Sequence, residues 1–307
     1  MTKKVLITGA GGFIGSHLWR YLDYHHYLVI PCVTTKPNRP HPANGQIYSF
    51  RLPDQQLGSI IKQEKPDWLV HCAGGASVPK SLSSPNQDFR DNVVATESLF
   101  DAVAKNSPET KVIFISSAAV YGNSSELPIR EDTLPNPISP YGFHKLMGEL
   151  ISQKYYRLFG IPTTILRIFS VYGPGLKKQL LWDIYQKWLT SEIISLYGTG
   201  EESRDFIYID DLGKVIHQVM IKSDFKATIL NVATGREITI RQLANLMVDK
   251  LGEKKQIHFT RQTKSGDPDR WQADITRLNR LAQINWLAIE TGISNYAHWL
   301  HRIGEGK

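Results

Sequence analysis

The sequence predicts an α/β fold of the doubly wound kind, a parallel sheet with helices on both faces, together with a smaller, mostly C-terminal second domain. Three observations carry this. Short apolar runs alternate with helical stretches through the first half of the 307 residues, a glycine-rich turn follows the first run, and the alternation loosens after Gly173-Pro174. Parallel strands need a long crossover between them, so strand and helix alternate along such a chain.

The elements follow in order. KKVLIT (3–8) has the pattern of a buried strand, and a helix is predicted from about Ile14 to Tyr24 after the glycines. YLVIPCV (27–33) is the second strand, a polar helix lies near 55–64, and DWLVHCA (67–73) is the next strand. One helix is predicted from about Gln87 to Lys105, then the strand KVIFISS (111–117). SPYGFHKLMGE opens a helix that runs to about Phe159; proline costs little at a helix start. PTTILRIF (162–169) returns to strand. Later, LLWDIYQKWLTSE (180–192) reads as helix, and ISLYGTGEESRDFIYIDDL mixes short strands with turns. Asp210 and Asp211 suit a helix start, where the dipole favours acids. TILNVAT (228–234) reads as one more sheet strand and ITIRQLANLMVDKL (238–251) as a helix. The expected division is a dinucleotide-binding domain at 1–173 with returns near 205–234, and a substrate-binding domain from 174–204 and 235–307. Neither an internal repeat nor a low-complexity tract is present.

Composition narrows the function classes. Hydrophobic residues at 41% and charged residues at 21% are ordinary for a globular protein. The net charge is +7, yet the basic residues are scattered, with Lys177-Lys178 and Lys254-Lys255 the tight pairs after the N-terminus. That scatter predicts no nucleic-acid partner and suits a small anionic ligand. No stretch of 18 apolar residues occurs, and the N-terminal apolar run is too short for a secretory core. Cys32 and Cys72 lack CxxC spacing and sit in strand-like surroundings, as buried reduced thiols do. The expectation is a soluble cytoplasmic protein without membrane partner or metal.

GAGGFIG (9–15) carries the first chemistry. Between a strand and a helix, its glycines let backbone N–H groups and a helix N-terminus approach a pyrophosphate. Gly9, Gly12 and Gly15 are spaced G-x-x-G-x-x-G, one residue wider than the common dinucleotide fingerprint, and the fold expected is of the Rossmann type. An acid at the end of the second strand ordinarily holds the ribose 2′-hydroxyl of NAD. Here the positions read Val33, Thr34, Thr35, Lys36, Pro37, Asn38 and Arg39, with no carboxylate and two cations. NADP is therefore favoured over NAD. Further on, Tyr141 and Lys145 lie four apart and share a helix face; of 13 tyrosines, Tyr141 alone has lysine four residues later.

Together with HCAG (71–74), ISSAAVYG (115–122), YGFHK (141–145), RIFSVYGPG (167–175) and RDFIYIDDL (204–212), that loop resembles the extended short-chain dehydrogenases/reductases. These are the NAD(P)-dependent epimerase/dehydratase family, acting mostly on nucleotide sugars, and the resemblance covers essentially the whole chain. It implies that Tyr141 is the catalytic acid/base, that Lys145 lowers its pKa and binds the nicotinamide ribose, and that Ser117 hydrogen-bonds the reacting oxygen. A phenol near pKa 10 needs such a cation to act as a base near neutrality. It implies cofactor contacts at Gly9, Gly12, Phe13, Ile14, Gly15, Thr34, Lys36, Arg39, Leu52, Ala73 and Lys145. Substrate contacts are implied at Ser117, Ser170, Arg204 and Lys264, with Arg204 on the diphosphate or else paired with Glu201 or Glu202. Asn92 corresponds to a supporting asparagine behind the site.

The sequence also departs from the family. Dehydrating members carry acids just before VYG, where this chain has Ala118 and Ala119, so 4,6-dehydration is disfavoured. Arg51 stands in place of an aspartate beside the adenine, and Ser170 replaces an asparagine. What the resemblance leaves is hydride transfer at C4 of a nucleotide-diphosphate hexose, by a 4-epimerase or a 4-keto reductase, in a homodimer built on helices near 88–104 and 145–159. The alternative is a dinucleotide-binding regulator or scaffold that has lost its chemistry.

Overall fold

The computed structural model describes residues 2–35, 46–262 and 266–305. The chain opens with β1 (Lys4–Thr8), α1 (Phe13–Tyr24), β2 (Leu28–Val33), β3 (Tyr48–Ser49), α2 (Gln56–Glu64) and β4 (Trp68–His71). Two short helices, α3 (Val78–Ser83) and α4 (Pro85–Phe89), lead through a π-helical turn at Arg90–Val94 into α5 (Ala95–Asn106). Then come β5 (Lys111–Ser117), a 3-10 turn at Ala118–Val120, α6 (Pro140–Phe159) and β6 (Thr163–Ile168). The later elements are β7 (Ser170–Tyr172), α7 (Gln179–Thr190), β8 (Ile193–Leu196), β9 (Ser203–Tyr208), α8 (Ile209–Lys222), β10 (Lys226–Val232) and β11 (Glu237–Thr239). They end with α9 (Ile240–Leu251), β12 (Gln256–Phe259), α10 (Thr276–Leu281) and α11 (Ile289–Glu305).

Seven strands form one parallel sheet in the order β10-β6-β5-β4-β1-β2-β3. Both faces are apolar because both are covered: along β1, Val5 and Ile7 enter one core cluster while Leu6 enters the other. Val215, Ile216 and Val219 of α8 join the first cluster; Leu99, Phe100 and Val103 of α5 join the second. The order reverses between β1 and β4, and open α/β sheets take their ligands at such a switch point. Three strands form a second sheet, β11-β9-β7, and β12 pairs with β8 in a third. Among the described residues no helix is long and apolar enough to cross a membrane.

Two differences from the sequence-based expectations matter. The single helix expected over 87–105 instead begins at Pro85 and is interrupted by the π turn. A π turn holds an extra residue, and here it accompanies the burial of Asn92 against the end of β4, with Asn92 Oδ1 only 2.6 Å from where a Gly74 side chain would begin. Helix α8 begins where Asp210 and Asp211 were expected to open one, whereas α10 and α11 were not foreseen.

Helix α6 sits close to β5 because its inner face is small or charged. A Cβ on Gly148 would lie 2.4 Å from Phe114, and one on Gly142 would lie 2.5 Å from the Ala119 carbonyl oxygen. Glu149 on that face is buried, bound by Arg167 Nη2 at 2.7 Å and Nε at 3.0 Å, and by the Ser116 hydroxyl. Removing one partner from such a pair strands a buried charge, so Glu149→Ala is expected to lose about 3–5 kcal/mol of stability. Urea unfolding measures this; a loss below about 1 kcal/mol would place the pair in the class of weak surface bridges.

Candidate active site

Ser117 ends β5, and Tyr141 and Lys145 lie one turn apart on α6, so the close seat of that helix brings all three together. Ser139 caps α6, its hydroxyl accepting from the Gly142 N–H at 3.2 Å, and Pro140 occupies the first turn. The Ser117 hydroxyl accepts from the Ala119 N–H at 3.2 Å and faces the Tyr141 phenol. Lys145 is 7% exposed; its Nζ donates to the Ile115 carbonyl at 2.9 Å and lies 5.2 Å from the centre of the Phe114 ring.

Burial sets the charge states. It pushes the Tyr141 phenol up to about 12; the Ser117 hydrogen bond opposes this and the Asp88 carboxylate adds to it. Burial also brings Lys145 down to about 8, against the pull of Cys72, Asp88 and Glu149. The resting pair is thus a phenol beside a lysine that holds its proton narrowly. Such a pair acts as a base once a further positive charge arrives next to the phenol.

A glycine-rich turn lies at the switch point. Gly9 has φ +67°, and a Cβ there would come within 2.6 Å of the Ala73 nitrogen, so the first loop and the end of β4 touch through glycine alone. Gly12 caps α1 without a side-chain bond, leaving the first-turn N–H groups of Phe13, Ile14 and Gly15 directed at that space. The first-turn N–H groups, left without side-chain caps, fit a pyrophosphate. Leu52 is buried in the core cluster of Leu6, Ile30 and Cys32, while Thr34 is exposed just past β2. Arg51 is paired, its Nη2 lying 2.8 and 2.9 Å from the two Asp91 carboxylate oxygens. Lys36 and Arg39 lie outside the described residues.

On the substrate side, Ala118 and Ala119 are buried and offer no acid. Ser170 opens β7, half-buried. Arg204 pairs with neither nearby glutamate: Glu202 is taken by the Thr199 and Gly200 N–H groups at 2.9 Å, and Glu201 by Arg241 at 3.0 Å. Its guanidinium instead lies over Trp271 at 5.5 Å and donates to the Ser203 carbonyl at 2.8 Å. The neighbouring Asp205 is caged by the N–H groups of Thr234, Gly235 and Ala273, fixing the loops around Arg204; burial nonetheless pushes its carboxyl up to about 6. Lys264 lies outside the described residues.

Sequence reasoning missed a second layer. His144 faces inward beside Tyr141 and Lys145 and contacts Asp88 at 2.6 Å; its i+3 offset from Tyr141 was the available signal. Lys178 reaches the Ala76 carbonyl at 3.4 Å near Lys80, and spacing alone gave no hint of it.

Comparison with known proteins follows the same lines. The profile of the NAD dependent epimerase/dehydratase family matches residues 5–233. A UDP-glucuronate 4-epimerase of Thermodesulfobacterium geofontis is 28% identical over 96% of this chain and 95% of its own length. The solved UDP-N-acetylglucosamine 4-epimerase of Methanobrevibacter ruminantium superposes with a TM-score of 0.89 at 29% identity, over 98% of this chain and 99% of its own. A UDP-glucuronic acid 4-epimerase of Bacillus cereus, solved with UDP-glucuronic acid and NAD, gives 0.89 at 26% identity over 98% and 99%.

In the free protein Tyr141 is expected to ionise at about 12, read as the phenolate absorbance lost in Tyr141→Phe. Oxidised dinucleotide should lower that midpoint. A free-protein midpoint near the ordinary phenol value of about 10 contradicts the burial described here.

Proposed function

The chain belongs to the NAD dependent epimerase/dehydratase family, and on that premise we propose that it is a 4-epimerase of a nucleotide-diphosphate hexose. The single observation that carries this is the Ser117 hydroxyl bonded to the Tyr141 phenol, with Lys145 one turn along the same helix and tied to β5 through the Ile115 carbonyl. The relatives named 4-epimerases support the choice of reaction. The buried methyl groups of Ala118 and Ala119 support excluding dehydration, which needs an acid for the leaving hydroxyl.

In this reading residues 1–173, with the returns near 205–234, hold the cofactor; 174–204 and 235–307 hold the sugar nucleotide. Gly9, Gly12, Phe13, Ile14, Gly15 and Ala73 would seat the pyrophosphate and nicotinamide half, Leu52 and Thr34 the adenosine half, and Lys145 the nicotinamide ribose. The bound dinucleotide supplies a hydride acceptor that becomes a donor for the opposite face of the same carbon. Tyr141 takes the proton of the C4 hydroxyl as the carbon is oxidised, and returns it when the ketone is reduced. Ser117 holds the reacting oxygen against Tyr141. Arg204 and Lys264 would bind the diphosphate, Arg204 through the guanidinium edge that its stacking on Trp271 leaves aligned, and Ser170 the sugar.

A 4-keto reductase consuming NADPH is the second reading, favoured by one feature: β2 ends at Val33 and is followed by Thr34 and Thr35, without a carboxylate for a ribose diol. With Lys36 and Arg39 following, NADP is our proposed preference, although the Bacillus relative was solved with NAD. The free thiols Cys32 and Cys72 suit a cytoplasmic location. We also propose a homodimer through α6, where Phe143, Met147 and Leu150 form an exposed apolar stripe (49%, 39% and 57%) beside Phe89.

Denaturing protein purified without added dinucleotide and identifying what is released separates the readings. Tightly held dinucleotide near one per chain is expected for an epimerase that recycles it. An empty protein that binds NADPH well above NADH would move the assignment to the reductase. Tyr141→Phe should cut turnover by about 10²–10⁴-fold while leaving dinucleotide binding intact; unchanged biological activity in that variant would favour a regulator. Leu150→Glu should sediment as a monomer if α6 forms the interface, and a wild-type mass equal to one chain would refute the dimer.

A further inference from the structure

Trp271 takes no part in the chemistry as described, yet it is held from several sides. Its indole Nε1 donates to the Gly122 carbonyl at 3.0 Å. Its backbone N–H donates to the Ser203 carbonyl at 3.0 Å, and its ring centre lies 5.5 Å from the Arg204 guanidinium carbon. Phe169, the residue before Ser170, meets the same ring edge-on at 5.8 Å. The indole is half-buried and packs against the cluster of Ala118, Tyr121 and Phe169.

The short segment Asp269–Trp271 therefore joins two parts of the site. On one side it runs beside β9, where the Ser203 N–H donates to the Asp269 carbonyl at 3.0 Å and Ser203 bridges Arg270 in parallel. On the other it holds the turn after Tyr121, through Gly122 and through Asn123, whose Oδ1 accepts from the Asp269 N–H at 2.9 Å. That turn closes the ISSAAVYG run to which Ser117 belongs. Arg204 makes its hydrogen bonds among the described residues through Nη1, to the Ser203 carbonyl at 2.8 Å and the Asp269 carbonyl at 3.4 Å. Nη2 and Nε carry the donors left for an anion.

We infer that Trp271 is the positioning residue of Arg204: it fixes the plane of the guanidinium and ties that plane to the turn beyond Ser117. An unsupported arginine samples many rotamers, and ordering it only when a ligand arrives weakens binding. A ring against the guanidinium orders it beforehand, and a cation over an aromatic face is itself attractive. The indole N–H adds what a phenyl ring could not, a bond to the backbone between β5 and α6. The anchor for the diphosphate is thus set relative to Ser117 before any substrate binds. This deepens the proposed function, since it rests on Arg204 meeting a diphosphate.

UDP is the probe, titrated calorimetrically into protein saturated with oxidised dinucleotide, so that no turnover is needed. Trp271→Leu should weaken UDP binding about five- to tenfold, and Trp271→Phe, which keeps a ring, by less than about threefold. In an Arg204→Ala background the same Trp271→Leu change should weaken binding by less than about twofold, because the two residues act as a unit. Equal weakening in both backgrounds, or none in the first, overturns the proposal. A second readout uses no ligand. The Arg204 Nε–H proton resonance, assigned through Arg204→Lys, should lie upfield under the indole and return to the ordinary arginine position in Trp271→Leu. An unshifted resonance in the wild-type protein also overturns the proposal. If UDP fails to bind the wild-type protein, the diphosphate reading falls and the resonance alone decides whether Trp271 places Arg204. Should Trp271→Leu not fold, Trp271→Met replaces it in each comparison.

Discussion

The closeness of α6 to β5 is the constraint on which the rest of the site depends. Glycines at 142 and 148 remove the side chains that would hold the helix off, and Lys145 and Glu149 fasten it to the strand. Each fastening is costly, because a lysine and a carboxylate are taken out of water. What the cost secures is geometry. Ser117 and Tyr141 come from separate elements, and only the fixed distance between those elements sets the one hydroxyl against the other. The same burial leaves Tyr141 too weak an acid to ionise alone, which ties its activation to the arrival of a cationic cofactor.

A second fixed distance operates at the switch point. Gly9 abuts the backbone of Ala73, and His71 at the end of β4 links β1 to α5, its Nδ1 2.7 Å from the Thr8 hydroxyl and its Nε2 3.2 Å from that of Thr96. Burial drives the His71 pKa down to about 3, so the bridge stays neutral across the working range. Neutrality matters there, since a charged imidazole would repel the Lys145 ammonium.

Periodicity and glycine chemistry are local properties, which is why the strands, the cradle and the Tyr141–Lys145 face were legible in the sequence. The parallel strands of the large sheet came out within a few residues, apart from the two-residue β3, because buried strands leave continuous apolar runs. What was illegible depends on partners distant in sequence. Arg167 meets Glu149 across 18 residues and His144 meets Asp88 across 56, and no spacing rule announces either. The π turn at Arg90–Val94 is set by where Asn92 must go, not by helix propensity, so one continuous helix was the reasonable expectation. Arg204 was read as a possible partner of Glu201 or Glu202 because they are neighbours; backbone N–H groups and Arg241 had already claimed both acids. The positions that bear on NADP, Lys36 and Arg39, lie outside the described residues.

Transfer of a hydride out and back at one carbon is the central claim, and isotope retention tests it most directly. Nucleotide-linked hexoses carrying deuterium at C4 would be incubated with the protein and no added reductant, and the sugars recovered and examined by mass spectrometry and NMR. The expected result is an equilibrium of C4 epimers in which deuterium remains at C4, because the hydride that leaves is the one that returns. Product epimer with hydrogen at C4, or turnover only when NADPH is supplied, would contradict an internally recycled hydride and assign the site to reduction instead.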